Sequence, residues 1–237
     1  MWGSVIRMGI VNAAILAVLL LIALIAASPL AAQPRDDAMA FDAETALATT
    51  PDAATVAQWV AGSADNRGLP YIIIDKQSAA LFVFDGKRRL RGTGPVLIGR
   101  ALGDAATPGV GNKRLAEIGP AEKTTPAGRF LAKYGLAAGG ARVLWVDYAD
   151  AVALHPIPSD ASPRERRRAR MLSPTPEDNR ITFGCINVPA KIYALVRPLF
   201  ARRGGYVYVL PDSKPIEDVF PGVRTVMFAG ANLTAAR

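Results

Sequence analysis

The chain offers one thiol and one imidazole. Cys185 lies in RITFGCINVP and is the only cysteine of 237 residues; His155, the only histidine, lies thirty residues upstream in VALHPIP. A thiol becomes a nucleophile as its thiolate, which a neighbouring base or positive field creates. Gly184 permits a sharp turn that exposes the next side chain. Successive backbone N–H groups in such a turn can converge on one point, as in an oxyanion hole. His155 closes a predicted strand, and Pro156 fixes the backbone beyond it. The plainer readings stay open on these residues alone: Cys185 as a packed small hydrophobe, and His155 as an unpartnered surface or core residue. One His and one Cys make no zinc site without several carboxylates, so no metal or other cofactor is expected. A thiol redox protein is disfavoured, because there is no C-x-x-C and no resolving cysteine.

The elements that must hold this pair are mostly strands. From Leu69, LPYIIIDK and AALFVFDGKRRLRGTGPVLIG are apolar, β-branched and aromatic, interrupted by QSA and by the turn signal DGKR. KTTPAGRFLAKY reads as a turn into a strand, and ARVLWVDY and AVALHPI as two strands joined at 148–150. After ITFGCINVP come a helix, PAKIYALVRPLFARRG, and a strand, YVYVLP. Ahead of the strands, TPDAATVAQWVAGS reads as a helix. Thr50 caps it, Pro51 takes the first position, Asp52 suits the dipole, and Val56, Trp59 and Val60 share a face. Between His155 and Cys185, Ser162 and Glu165 form an S-x-x-E capping box around Pro163, which predicts a basic helix over 162–172. The glycine-rich segment 99–123 lacks the lysine-serine pair of a phosphate loop, so nucleotide binding is not expected. From Asp212 there is no clear period. The fold class is mainly β with a few flanking helices.

Hydrophobic residues make up 51%, enough for one domain's core, and 21 Gly with 18 Pro favour strands and turns. Arg7 precedes an apolar run, residues 10–27, broken only by Asn12 and followed by SPLAAQ. This is the order of an export signal, with Ser28 and Ala32 as cleavage positions. The run is just short of the roughly 20 residues that span a bilayer, so an uncleaved anchor is the alternative. Either way Arg7 stays in the cytoplasm and the rest is exported. Residues 29–50 read as a linker. The net charge is +8. Nucleic acid is not the expected partner of an exported chain without aromatic-basic alternation. An acidic polymer of the cell envelope fits better, and a basic surface that aids solubility is the plainer reading. Nothing in the pattern sets an oligomeric state.

ITFGCINV resembles the active-site signature of the L,D-transpeptidase catalytic domain. There, Ser or Thr, His, Gly, Cys, an aliphatic residue, and Asn or Arg follow in order. Thr182, Gly184, Cys185, Ile186 and Asn187 match. His155 matches the histidine that the family places at the end of an upstream strand. KTTPAGRF is similar to the family's Thr-Pro-x-Gly-x-aromatic turn, and IDKQSAALFVFDGKRRLRGTGPVLIG to its opening hairpin. The resemblance covers about residues 69–210. It departs at two places. Phe183 stands where the family has a histidine, and the His-to-Cys interval is longer by a basic stretch within 159–180.

The resemblance implies an L,D-transpeptidase-like β-sandwich or barrel over 67–210, with short flanking helices and a basic helical insertion at 159–180. A signal peptide or anchor at 1–28, a linker and short helix at 29–66, and a tail at 211–237 complete the organisation. It implies an exported cysteine transferase of the periplasm or cell envelope, working on peptidoglycan stem peptides. Cys185 would form a thioester with the third residue of a tetrapeptide stem, and His155 would be the base. Backbone N–H groups of Gly184 and Cys185 would hold the oxyanion. The Pro156 carbonyl would orient the imidazole, with Asp147 the other group close in sequence. Thr182, Phe183 and Asn187 would line the site. Arg164, Arg167 and Arg168 would meet an anionic glycan-peptide strand, or else form a solvated charged face. Phe183 leaves the Cys–His pair intact but cannot donate a hydrogen bond. The alternative is a cell-wall-binding domain that has lost catalysis.

Overall fold

The computed structural model describes residues 50–227. The apolar run 10–27, the linker to residue 49 and residues 228–237 lie outside them. Helix α1 (Pro51–Ser63) begins as its capping chemistry predicts. Thr50 is extended, and its hydroxyl accepts from the Ala53 N–H at 3.2 Å. Strands β1 (Tyr71–Asp75), β2 (Ala80–Phe84) and β3 (Leu90–Pro95) form a meander, with a short β4 (Ile98–Gly99) beyond it. Strands β5 (Gly128–Leu136), β6 (Arg142–Asp147) and β7 (Val152–Pro156) form a second meander. Then come α2 (Arg167–Met171), and β8 (Arg180–Thr182) and β9 (Ile186–Val188) on either side of Cys185. Helix α3 (Ala190–Phe200), β10 (Gly205–Val209) and α4 (Ile216–Val219) follow.

Eight strands make one sheet in the order β3-β2-β1-β10-β5-β6-β7-β9, and β4 pairs with β8 in a small second sheet. The pairs β1–β10 and β7–β9 are parallel; the other neighbours in the large sheet are antiparallel. The large sheet nearly closes into a barrel. Just beyond β3, Leu97 exchanges both backbone hydrogen bonds with Asn187 of β9, at 2.9 and 2.8 Å. The two ends of the sheet therefore meet at Asn187.

The core has two parts because the first strands are covered on both faces. One side of the sheet buries Ile72, Ile74, Leu81, Leu154, Ile186 and Val207 against Ile192, Val196 and Phe200 of α3. The other buries Tyr71, Ile73, Phe82 and Tyr208 against Val56 and Val60 of α1. Hence YIIID is buried at every position and reads as a continuous apolar run rather than an alternation. Segment 211–227, which has no clear period in sequence, supplies Ile216, Phe220 and Val223 to this second cluster. Four residues of helix are too few to show a period.

The predicted single helix over 162–172 is two pieces. A 3-10 turn spans Pro163–Glu165, Arg166 takes a left-handed conformation (φ 49°), and α2 starts only at Arg167. Ser162 makes no side-chain cap bond. The Glu165 carboxylate, expected to reach back to the N-terminus, instead accepts from Arg167 Nε at 2.7 Å. The bond to Arg167 pairs two full charges, whereas the capping bond would pair the carboxylate with an uncharged N–H. The insertion is pinned to the barrel by Met171, which packs with Leu97, Ile181 and Ile157.

Candidate active site

Parallel pairing of β7 with β9 sets His155 opposite Asn187 and Leu154 opposite Ile186. Leu154 and Ile186 are fully buried in the core. Alternation along the strands then turns His155, Asn187 and Cys185 to the opposite face, toward the insertion. His155 and Cys185 are both half-buried.

The imidazole is fixed at both nitrogens. His155 Nδ1 lies 2.7 Å from the Pro156 carbonyl oxygen. A carbonyl only accepts, so Nδ1 carries the proton and Nε2 keeps its lone pair. Nε2 faces the Asn187 amide nitrogen at 3.5 Å. Asp147 accepts instead from the N–H groups of Ala149 and Asp150 in its own turn. Burial pushes the His155 pKa down, the Pro156 hydrogen bond opposes this, and the Arg167 charge pushes it further down.

Cys185 rests as a thiol. Its Sγ lies 3.7 Å from the Ala151 carbonyl, in donor geometry. Burial raises its pKa; a hydrogen bond from the Ala153 N–H and the Arg167 charge oppose this without reversing it. A raised thiol beside a lowered imidazole gives a neutral pair at neutral pH, not a preformed thiolate–imidazolium. The midpoint of the pH profile for iodoacetamide alkylation of Cys185 should therefore lie above about pH 8.5, the midpoint of an ordinary thiol. A midpoint at or below that pH would show an ordinary or activated thiol.

The turn before the thiol is built by hydroxyls. Thr182 Oγ1 donates to the Cys185 carbonyl at 2.6 Å and accepts from the Gly184 N–H at 3.2 Å. Thr125 Oγ1 donates to the Gly184 carbonyl at 2.8 Å and accepts from the Gly99 N–H at 2.8 Å. The Gly184 N–H, expected to be an open oxyanion donor, is therefore engaged by Thr182. The reason is local: Thr182 sits two residues back with its hydroxyl buried in the turn. Thr125 belongs to KTTPAGRF, so that motif supports the Gly184–Cys185 turn directly. Sequence gives the turn but not this contact across the fold.

Gly184 has φ +127°, and a Cβ there would meet the Thr124 carbonyl oxygen at 2.8 Å. Gly184→Ala should cost about 1–3 kcal/mol of stability by strain alone, read as a lowered denaturation midpoint. An unchanged midpoint would show that the turn relaxes freely.

Phe183 is half-buried, and the Lys123 ammonium sits 3.8 Å from its ring centroid. Phe183 thus holds a cation beside the turn, through a cation–π contact. Of the insertion's arginines, only one enters the site. Arg167 Nη1 donates to Asn187 Oδ1 at 2.7 Å, and its side chain is 14% exposed. Arg164 and Arg168 are exposed to solvent. Beside them, Ile157, Pro158, Ala161, Arg166, Arg167 and Arg168 line a cavity of about 540 Å³.

No family model matches the chain, and no curated protein matches it. Solved structures do. One is the NMR structure of an E. faecium L,D-transpeptidase catalytic domain, at 16% identity and TM-score 0.36, over 59% of this chain and 95% of that one. A second is an L,D-transpeptidase from Xylanimonas cellulosilytica, at 14% identity and TM-score 0.37, over 60% of each chain. A third is an Enterococcus faecium L,D-transpeptidase C442S mutant, at 15% identity and TM-score 0.33, over 59% of this chain and 49% of that one. The chain spans nearly all of the first of these and about half to three-fifths of the other two. It is similar to these L,D-transpeptidase structures at low identity.

Proposed function

We propose that the protein is a cysteine acyltransferase, acting as an L,D-transpeptidase on peptidoglycan stem peptides. The observation that carries this reading is the β7–β9 pairing, in which the only imidazole sits on β7 and the only thiol immediately precedes β9. The Nδ1–H tautomer supports it, because it leaves Nε2 as the base. The substrate class rests on the resemblance of ITFGCINV and its companions to that family.

The reaction runs as follows. Rotation about χ1 of Cys185 takes the thiol from the Ala151 carbonyl to His155. The imidazole removes the proton as sulfur attacks the carbonyl of the stem's third residue. The Cys185 N–H, with Gly184 when Thr182 releases it, meets the oxyanion. The tetrahedral intermediate collapses to a thioester, and the imidazolium protonates the departing D-amino acid. A second stem's amine, an envelope protein, a D-amino acid or water then takes the acyl group. We place the protein in the periplasm or cell envelope, exported through residues 1–28, which are cleaved or kept as an anchor.

A second reading, a cell-wall-binding domain without catalysis, is favoured by two contacts. The thiol points at Ala151, and the Gly184 N–H is held by Thr182. Incubation with a carbapenem followed by intact-mass measurement separates the two. The first reading expects one adduct per chain and release of D-alanine from a tetrapeptide. An unmodified thiol with no D-alanine release favours the second.

A further inference from the structure

Five arginines lie between residues 164 and 170, and only one of them touches the candidate site. The break at Arg166 separates it from Arg164. With Arg166 left-handed, α2 starts in a new direction, and Arg167 turns inward while Arg164, Arg166 and Arg168 stay exposed. A non-glycine residue in this conformation costs about 1–2 kcal/mol. Such strain persists only where surrounding contacts hold it. The next residue, Arg167, is held by Glu165 at 2.7 Å on Nε and by Asn187 at 2.7 Å on Nη1.

We propose that Arg167, carried in by the insertion, is a positioning residue for the Cys185–His155 pair. Its guanidinium locks the Asn187 amide opposite His155, and its charge stands beside both reacting side chains. A guanidinium only donates, so the amide oxygen must face Arg167 and the amide nitrogen must face His155 Nε2. The amide nitrogen then faces the lone-pair nitrogen of the resting ring and favours its Nδ1–H tautomer. Glu165 holds the guanidinium from the other side, forming a relay Glu165–Arg167–Asn187–His155. Among the described residues, Arg167 is the charged group that acts on both His155 and Cys185. Asp147, the nearby carboxylate in sequence, is occupied by its own turn. The insertion is thereby a working part of the site and not only a cover for it.

The inference rests on the Cys185–His155 reading for its meaning, but its test needs no substrate. One histidine and one cysteine make both titrations residue-specific in the full chain. His155 is followed by proton NMR, and Cys185 by the pH dependence of iodoacetamide alkylation. In Arg167→Gln the thiolate loses a stabilising cation and the imidazolium loses a repelling one. Both titrations should move up, and alkylation at pH 7 should slow roughly tenfold. Arg167→Lys, which keeps the charge without the fork, should recover most of the thiol titration. A merely structural role predicts the opposite for sulfur, because a loosened insertion relieves burial and lowers the thiol pKa. A downward or unchanged thiol titration in Arg167→Gln, or no recovery in Arg167→Lys, overturns the proposal. Absence of transpeptidase turnover, with both shifts present, would sink the proposed reaction and leave this inference standing.

Discussion

Lys76→Met is expected to destabilise the fold by about 3–5 kcal/mol, the usual cost of leaving buried charge unpaired. Lys76 has no exposed side chain. Its ammonium lies 3.1 Å from both Asp104 and Asp212, and it donates to the Gly103 and Thr125 carbonyls at 2.7 and 3.0 Å. Arg180 also pairs with Asp212. The cluster therefore ties the end of β1, the long loop before β5, the start of β8 and the segment after β10. Two of its contacts reach toward the Cys185 turn. Thr125, whose carbonyl Lys76 holds, fixes the Gly184 carbonyl with its hydroxyl. Arg180 opens the strand that runs into Thr182. Urea denaturation of Lys76→Met and Lys76→Arg should give two lowered midpoints, and a wild-type midpoint for Lys76→Met would refute this account.

The same cluster sets a pH limit. Burial alone would raise the Asp104 pKa, but hydrogen bonds from the Asp212 N–H, the Ser213 hydroxyl and N–H, and the Lys214 N–H outweigh it and hold it well below the ordinary carboxylate range. A depressed folded pKa contributes stability above the unfolded value, and that stability is lost as pH falls through the folded value. Stability from this site is accordingly complete at neutral pH and drains away only in strong acid.

Cys185→Ala should abolish the carbapenem adduct and D-alanine release altogether, since no other thiol exists in the chain. His155→Ala should slow acylation by about 10²–10⁴-fold, the range of general-base contributions. Raising the pH should recover part of the His155→Ala loss, because hydroxide replaces the missing base. Full acylation by Cys185→Ala would move the nucleophile elsewhere. Unimpaired acylation by His155→Ala at neutral pH would remove His155 from the mechanism. Both variants should retain wild-type unfolding midpoints within about 1 kcal/mol, because each side chain is only half-buried and neither belongs to a core cluster.

The strands were legible because their period is strong, and the Thr50 cap because its chemistry is local. His155, Pro156 and Cys185 announced themselves by rarity and by punctuation. The contacts that organise them did not. Lys76 follows a strand and precedes a turn, where a lysine ordinarily faces water, and its carboxylate partners stand far along the chain. Arg167 is one of five similar arginines, and only its contact with Asn187, twenty residues along the chain, distinguishes it. The Ser162–Glu165 pattern pointed to an unbroken helix because sequence spacing could not weigh the capping bond against the bond to Arg167. The engaged Gly184 N–H was hidden for a related reason. A glycine before a cysteine advertises a turn, but whether its amide is free depends on a hydroxyl two residues away.

The meeting of Leu97 with Asn187 has one more consequence. Asn187 supplies the seam of the barrel with its backbone and faces the imidazole with its side chain. Closing the barrel and completing the site are therefore one event. In an unfolded chain the thiol and the imidazole ride on segments that are not yet neighbours, so the proposed Cys185–His155 pair is assembled only when the sheet closes.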